Sequence, residues 1–203
     1  QMCIRDSYLP AVKKALQELR TDVDEIVSNT DAPTFNNTIL ALEITGDSLN
    51  QVASKFSNIT GTDTNDELRA LQTQIYPMLT RETDAIALNA VLYGRVKAIF
   101  DARESLNLGE QEARLLELTH RSFVRAGAAF APDVKTQIAA INEEISKLTT
   151  QFAQSLLLET KAFKLVLKTE VETAGLSGDF KAAIYDAEQK AWVVGLNLSL
   201  IHI

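Results

Sequence analysis

The sequence predicts a mostly α-helical protein with a short strand–helix–strand segment near its C-terminus. Three observations support this fold class. Apolar residues recur at steps of three and four along most of the chain, which is the spacing of an amphipathic helix. Capping residues or prolines stand before several of these segments. At residues 163–168, Phe163, Leu165 and Leu167 alternate with Lys164, Val166 and Lys168, which is typical of a partly buried strand.

The first two predicted helices cover residues 10–28 and 35–57. The apolar stripe of the first consists of Val12, Leu16, Leu19, Val23 and Ile26. The second follows Pro33 and has Thr34 as its N-cap, because threonine can accept a hydrogen bond from a free backbone N–H. Gly46 stands where the second stripe would continue. We expect this glycine to weaken the helix or to let a neighbouring element approach closely.

Three further helices are predicted in the middle of the chain. One begins near Asn65, and Pro77 should kink or end it because proline lacks the backbone donor. Asn89 is the predicted cap of the next helix. Glu110 opens another that reaches about residue 129.

The longest predicted helix begins at Pro132, a residue suited to the first helical turn. Its apolar stripe consists of Val134, Ile138, Ile141, Ile145, Leu148 and Phe152. They alternate steps of four and three, and such a repeat favours packing against a neighbouring helix at a shallow angle. We expect an intramolecular bundle, and a free coiled coil is the alternative.

The C-terminal part of the chain predicts two strands with a helix between them. The strands lie at residues 163–168 and 192–196, and the helix covers residues 180–190 after Ser177. No third strand is predicted. Because so small a sheet needs further cover, the segment has the pattern of a divided domain.

Four segments of the chain match one known family in order and spacing. They are residues 32–39 (APTFNNTI), 65–71 (NDELRAL), 121–128 (RSFVRAGA) and 141–163, which begins INEEI and ends ETKAF. The chain thereby resembles the zinc peptidases that include dipeptidyl carboxypeptidase, oligopeptidase A and thimet oligopeptidase. The resemblance runs from about residue 8 to about residue 197 and is greatest to the dipeptidyl carboxypeptidase branch. Asn36 stands where the family normally carries an acidic residue.

The resemblance implies how the chain is organised. Residues 8–162 would be an N-terminal helical region that forms part of the wall over a deep substrate channel, and residues 163–197 would begin the following strand-containing segment. Residues 1–7 and 198–203 match nothing in the family. We expect these flanks to be foreign to the native gene, so that the chain is a fragment of a larger protein. Natural divergence at the termini is the alternative.

The resemblance also implies what the intact enzyme does. It would use Zn²⁺ to cleave short peptides and would release dipeptides from their C-termini, with the metal held in a C-terminal half that this chain lacks. The zinc ligands come from the pattern H-E-x-x-H and a downstream glutamate, and the chain has neither. Its only histidines are His120 and His202. We therefore expect no catalytic, cofactor-binding or metal-binding residue here, and no activity from the chain alone.

Three other groups of polar residues have structural interpretations that we favour. His120 lies in an amphipathic helix, where a half-buried or surface position is favoured over catalysis. Glu143 and Glu144 are adjacent and point about 100° apart on a helix, which favours a solvated charged face over an acid–base pair. Arg121 and Arg125 share a helix face, where pairing with a neighbouring glutamate is favoured over binding a carboxylate ligand.

Charge and composition argue against several other functions. The net charge is −7, whereas a nucleic-acid-binding protein needs a basic surface. No run approaches the about 20 apolar residues of a membrane-spanning helix. Cys3 is the single cysteine, and no signal peptide is visible, so we predict a cytoplasmic protein, with the periplasm as the alternative. A stand-alone helical interaction module is the alternative function, and an inactive paralogue is a third.

Overall fold

The computed structural model of the protein describes residues 7–196 and confirms the mostly helical fold class. The chain divides into two compact units, one up to residue 150 and one from residue 151. Of the two predicted flanks, only Ser7 lies within the described residues. Cys3 and His202 therefore lie outside them. The segment boundaries implied by the family resemblance stay predictions.

The described elements of the first unit are all helical. In chain order they are α1 (Tyr8–Ser28), a π-helical segment (Phe35–Leu40), α2 (Ala41–Ile44), α3 (Asp47–Thr62), α4 (Asp66–Ala87), α5 (Ala90–Asp101), a 3₁₀ turn (Arg103–Ser105), α6 (Glu110–Ala126) and the first part of α7 (Pro132–Ala162). Across the described part of the chain, none of the helices combines the length and the apolar character that a membrane span requires.

Helix α1 connects two hydrophobic cores of this unit. Its N-terminal residues Val12 and Leu16 are buried in one core, and its C-terminal stripe residues are buried in the other. The first core adds Phe56, Leu68 and Ile75 from α3 and α4. The second core contains Leu19, Val23, Ile26, Ile39, Leu92, Val96, Ile99, Leu116, Phe123 and Ala128. The predicted α1 stripe is therefore confirmed in full.

The helix predicted over residues 35–57 is wrong as a single element. Thr34 caps its start as expected, accepting a hydrogen bond from the Asn37 backbone N–H at 3.1 Å, but the first turns are π-helical. Gly46 then adopts a left-handed backbone with φ of +86° and separates α2 from α3. A Cβ at this position would lie 3.3 Å from Leu19 Cδ1. The glycine therefore both interrupts the helix and lets α1 approach closely, as expected.

Helix α4 passes through Pro77 and continues to Ala87, so the expectation that it could end at the proline is wrong. Ile75 and Pro77 are both buried. Farther along the helix, buried Glu82 accepts a hydrogen bond from Arg20 Nε of α1 at 2.7 Å. Because tertiary contacts hold α4 on both sides of the proline, the loss of one backbone donor does not break it.

The helix starts predicted at Asn65, Asn89 and Pro132 are confirmed. Asn65 and Asn89 each accept a hydrogen bond from the backbone N–H three residues ahead, at 2.9 and 3.0 Å. Pro132 opens α7. Helix α6 ends at Gly127, whose φ is +95° and where a Cβ would lie 2.8 Å from Ile138 Cδ1. No other residue fits this close approach without a shift of its neighbours.

The six apolar residues predicted to line the longest helix form the α7 stripe, and the expectation that the whole stripe packs inside a bundle is wrong. Val134 and Ile138 are half-buried, but the four members that follow are 53 to 68% exposed. Helix α7 is joined to α4 by polar side chains, described below, which do not cover these apolar residues. The heptad-like spacing predicted the apolar face correctly, but not what lies against it.

The second unit contains the end of α7, a small antiparallel sheet and one short helix. Its elements are β1 (Leu165–Leu167), α8 (Gly178–Ile184), β2 (Tyr185–Asp186) and β3 (Ala191–Val194), with β3 central in the order β1-β3-β2. Leu165 pairs with Val194, and Tyr185 pairs with Trp192. The prediction of only two strands is therefore wrong. The helix predicted over residues 180–190 ends at Ile184, and residues 185–186 form a strand instead. Asp186 accepts hydrogen bonds from two backbone N–H groups of the following turn, which forms a hairpin.

Candidate functional site

A cleft of about 540 Å³ between α4 and α7 is the candidate site of the first unit. Its lining residues come from both helices and include Tyr76, Leu79, Thr83, Asp84, Asn142, Ile145, Ser146 and Thr149. The hydroxyls of Thr149 and Thr150 donate to carbonyls of their own helix, at 2.7 and 2.8 Å. These two hydroxyls are therefore occupied, and the lining residue with a charged side chain is Asp84.

Charged side chains next to the cleft fix α7 to α4. Arg81 binds Glu143 through two hydrogen bonds of 2.9 Å, and Lys147 Nζ lies 2.7 Å from the same carboxylate. These donors, Arg81 first and then Lys147, hold the pKa of Glu143 at about 2, well below its ordinary 4.5. Glu143 therefore stays ionised at neutral pH. It does not form a pair with Glu144, which is exposed, and so the two carboxylates have no acid–base geometry.

Asp84 carries an unsatisfied oxygen in the cleft. Its Oδ1 accepts a hydrogen bond from Asn142 Nδ2 at 2.8 Å, which is a second link between α4 and α7. Its Oδ2 is buried and has no hydrogen-bond partner among the described residues. Buried carboxylate oxygens normally have a donor, since leaving one unpaired is costly. Sequence patterns do not reveal this site, because Asp84 and Asn142 are 58 positions apart.

His120 is half-buried, as the sequence predicted. Its ring stacks on Phe100 with centroids 3.8 Å apart and an interplanar angle of 4°. The guanidinium of Arg103 lies 4.4 Å from the centre of the same phenyl ring. Burial lowers the pKa of His120 below its ordinary 6.5; Asp101 opposes this shift, whereas Lys97 and Arg103 reinforce it. Aromatic packing accounts for the position of this histidine.

The two arginines of α6 differ in their contacts. Arg121 Nη1 lies 3.6 Å from Glu117 Oε1, one helical turn earlier, so the predicted structural pairing is confirmed for this residue. Arg125 is exposed in the last turn of α6. A cation there interacts favourably with the helix C-terminus.

Arg95 is a buried charged residue that the sequence analysis did not single out. It is 8% exposed, and its guanidinium donates to Asn29 O at 2.8 Å, Asp31 O at 3.2 Å and the side chains of Asn37 and Thr38 at 3.2 Å. These acceptors belong to the loop after α1 and to the π-helical segment. Arg95 therefore fixes the start of that segment to α5.

No residues of a metal centre come together in residues 7–196. Within that range, no group of three or more histidine, cysteine, aspartate or glutamate side chains is placed to hold a metal ion. A catalytic zinc ion needs three protein ligands and an open position. The described residues thus do not fit a catalytic zinc ion.

Most of the chain is similar to curated peptidases. It is 41% identical to dipeptidyl carboxypeptidase of Escherichia coli (strain K12) over 170 residues, which is 84% of this chain and 25% of that protein. Identity to the Salmonella typhimurium dipeptidyl carboxypeptidase is 38% over the same shares. Oligopeptidase A of Haemophilus influenzae is 26% identical over 187 residues, 92% of this chain and 27% of that protein. No protein-family profile matches the chain.

All three of these relatives are named as peptidases. Over most of its length, this chain belongs to the family that contains dipeptidyl carboxypeptidase and oligopeptidase A, as its four family-like segments predicted. The chain spans about a quarter of the length of the curated relatives that it matches. Among the three relatives, the identity is higher to the two dipeptidyl carboxypeptidases.

Proposed function

We propose that this chain is the N-terminal, substrate-channel-forming part of a zinc metallopeptidase that cleaves short peptides and releases C-terminal dipeptides. The observation that carries the proposal is the 41% identity, over 84% of the chain, to a protein named dipeptidyl carboxypeptidase. Because the chain spans a quarter of that protein, the proposal assigns the zinc site to the remaining three quarters. The chain alone would be inactive. Its location in the cytoplasm stays a prediction.

The contribution of this part would be a rigid wall. Arg95 fixes the π-helical segment to α5, Glu82 binds Arg20 of α1, and Glu143 binds Arg81 of α4. Contacts of this kind keep helices in fixed positions, since each joins residues that are distant in sequence. A preformed wall over a narrow channel admits short unfolded peptides and excludes folded proteins before any bond is cleaved. Selection of the substrate, rather than catalysis, would be the task of these residues.

A chimera with a relative tests the proposal. The chain replaces the matching quarter of the Escherichia coli dipeptidyl carboxypeptidase, and release of a C-terminal dipeptide from a blocked short peptide is measured with and without a chelator. We expect a chelator-sensitive activity from the chimera and none from the chain alone. The control is the same enzyme without the matching quarter, which should be inactive. Hydrolysis by the chain alone, or an equal rate from the shortened enzyme, would contradict the proposal.

A stand-alone helical interaction module is the second candidate, and the exposed part of α7 is the observation that favours it. Apolar side chains that are more than half exposed are suited to binding another protein. The chimera experiment distinguishes the two functions. A module would remain stable and monomeric on its own and would add nothing to the activity of the shortened enzyme, whereas a channel wall would restore it.

A further inference from the structure

We draw no further inference here: the strongest candidate, the cleft between α4 and α7 with the exposed row of Ile141, Ile145 and Leu148 beside it, carries none, because nothing in the part of the chain that the structure describes shows what covers it.

Discussion

Arg95 of α5 donates a hydrogen bond through Nη2 to Oδ1 of Asn37, at 3.2 Å, across 58 positions of sequence. The same amide oxygen accepts from the backbone N–H of Thr34 at 2.8 Å and from the hydroxyl of Thr38 at 2.9 Å. Asn37 belongs to the family-like segment at residues 32–39. That segment is therefore a structural junction, in which one side chain caps a helix start and binds a buried arginine.

Replacing Arg95 tests this junction. Arg95→Met keeps most of the buried volume but removes the guanidinium that donates to the carbonyl oxygens of Asn29 and Asp31. We therefore expect the free energy of unfolding to fall by about 3 kcal/mol. The loss should be measured by denaturation followed through the helical circular dichroism signal, since the single tryptophan, Trp192, lies in the second unit. Arg114→Met is the control, because Arg114 is exposed and pairs with Glu117 at the surface; an equal loss there would contradict the prediction.

Gly46 and Gly94 should respond to alanine with opposite signs. Gly46 has φ of +86° and a close neighbour in Leu19, so Gly46→Ala should destabilise the protein by about 1–2 kcal/mol. Gly94 lies inside α5 with no atom within 4 Å of a Cβ, and Gly94→Ala should stabilise it by about 0.5–1 kcal/mol. Thermal unfolding of the two variants beside the wild type measures both effects. A neutral or stabilising Gly46→Ala would show that the left-handed backbone at Gly46 is not required, and a destabilising Gly94→Ala would contradict the second half of the prediction.

Local patterns in the sequence predicted the helices and their starts because those features depend on neighbouring residues. The five members of the α1 stripe are all buried, and Thr34, Asn65 and Asn89 cap helices as expected. The π-helical start at Phe35 was missed, because its geometry depends on the Asn37 side chain and on Arg95, far along the chain. The continuation of α4 past Pro77 was missed for the same reason, since the contacts that hold the helix come from other elements.

The candidate site illustrates the limit of such patterns more sharply. The α1 and α7 stripes have similar apolar spacing, yet α1 is buried and Ile145 is 55% exposed. Periodicity indicates which face of a helix is apolar, whereas burial depends on the partner that covers it. The pairs that shape the cleft, Arg81 with Glu143 and Asp84 with Asn142, join residues 62 and 58 positions apart. Local periodicity carries no signal for contacts at that separation.

His120 should make the stability of the first unit sensitive to weakly acidic pH. Burial lowers its pKa in the folded state below 6.5, so the unfolded chain takes up a proton first as the pH falls. Stability is therefore complete above about pH 6.5 and decreases below it, through the window between the unfolded and folded pKa values. His120→Phe keeps the stack on Phe100 without a titrating group.

The measurement is the difference in unfolding free energy between the wild type and His120→Phe at about pH 7.5 and about pH 5. The wild type should lose more stability than the variant over this interval. Carboxylates titrate in both proteins and cancel in the comparison. A difference that is constant with pH, or a wild type that gains stability relative to His120→Phe as the pH falls, would contradict the assignment of the shift to burial.

The pKa of Glu143 should depend on the contact with Arg81 that joins α7 to α4. This pKa of about 2 has Arg81 as the largest cause, so Arg81→Met should raise the pKa of Glu143 towards 4.5, while Lys147 keeps it below that value. The contribution of the pair to stability is present above pH 4.5, the unfolded value, and is lost as the pH falls towards about 2. Carboxyl NMR titration of Glu143 in the wild type and in Arg81→Met measures the shift, with Arg114→Met as the control. Should the titration of Glu143 be the same in all three proteins, the bidentate contact that joins the two helices at the cleft is absent in solution, because Lys147 alone would then set the pKa of that carboxylate.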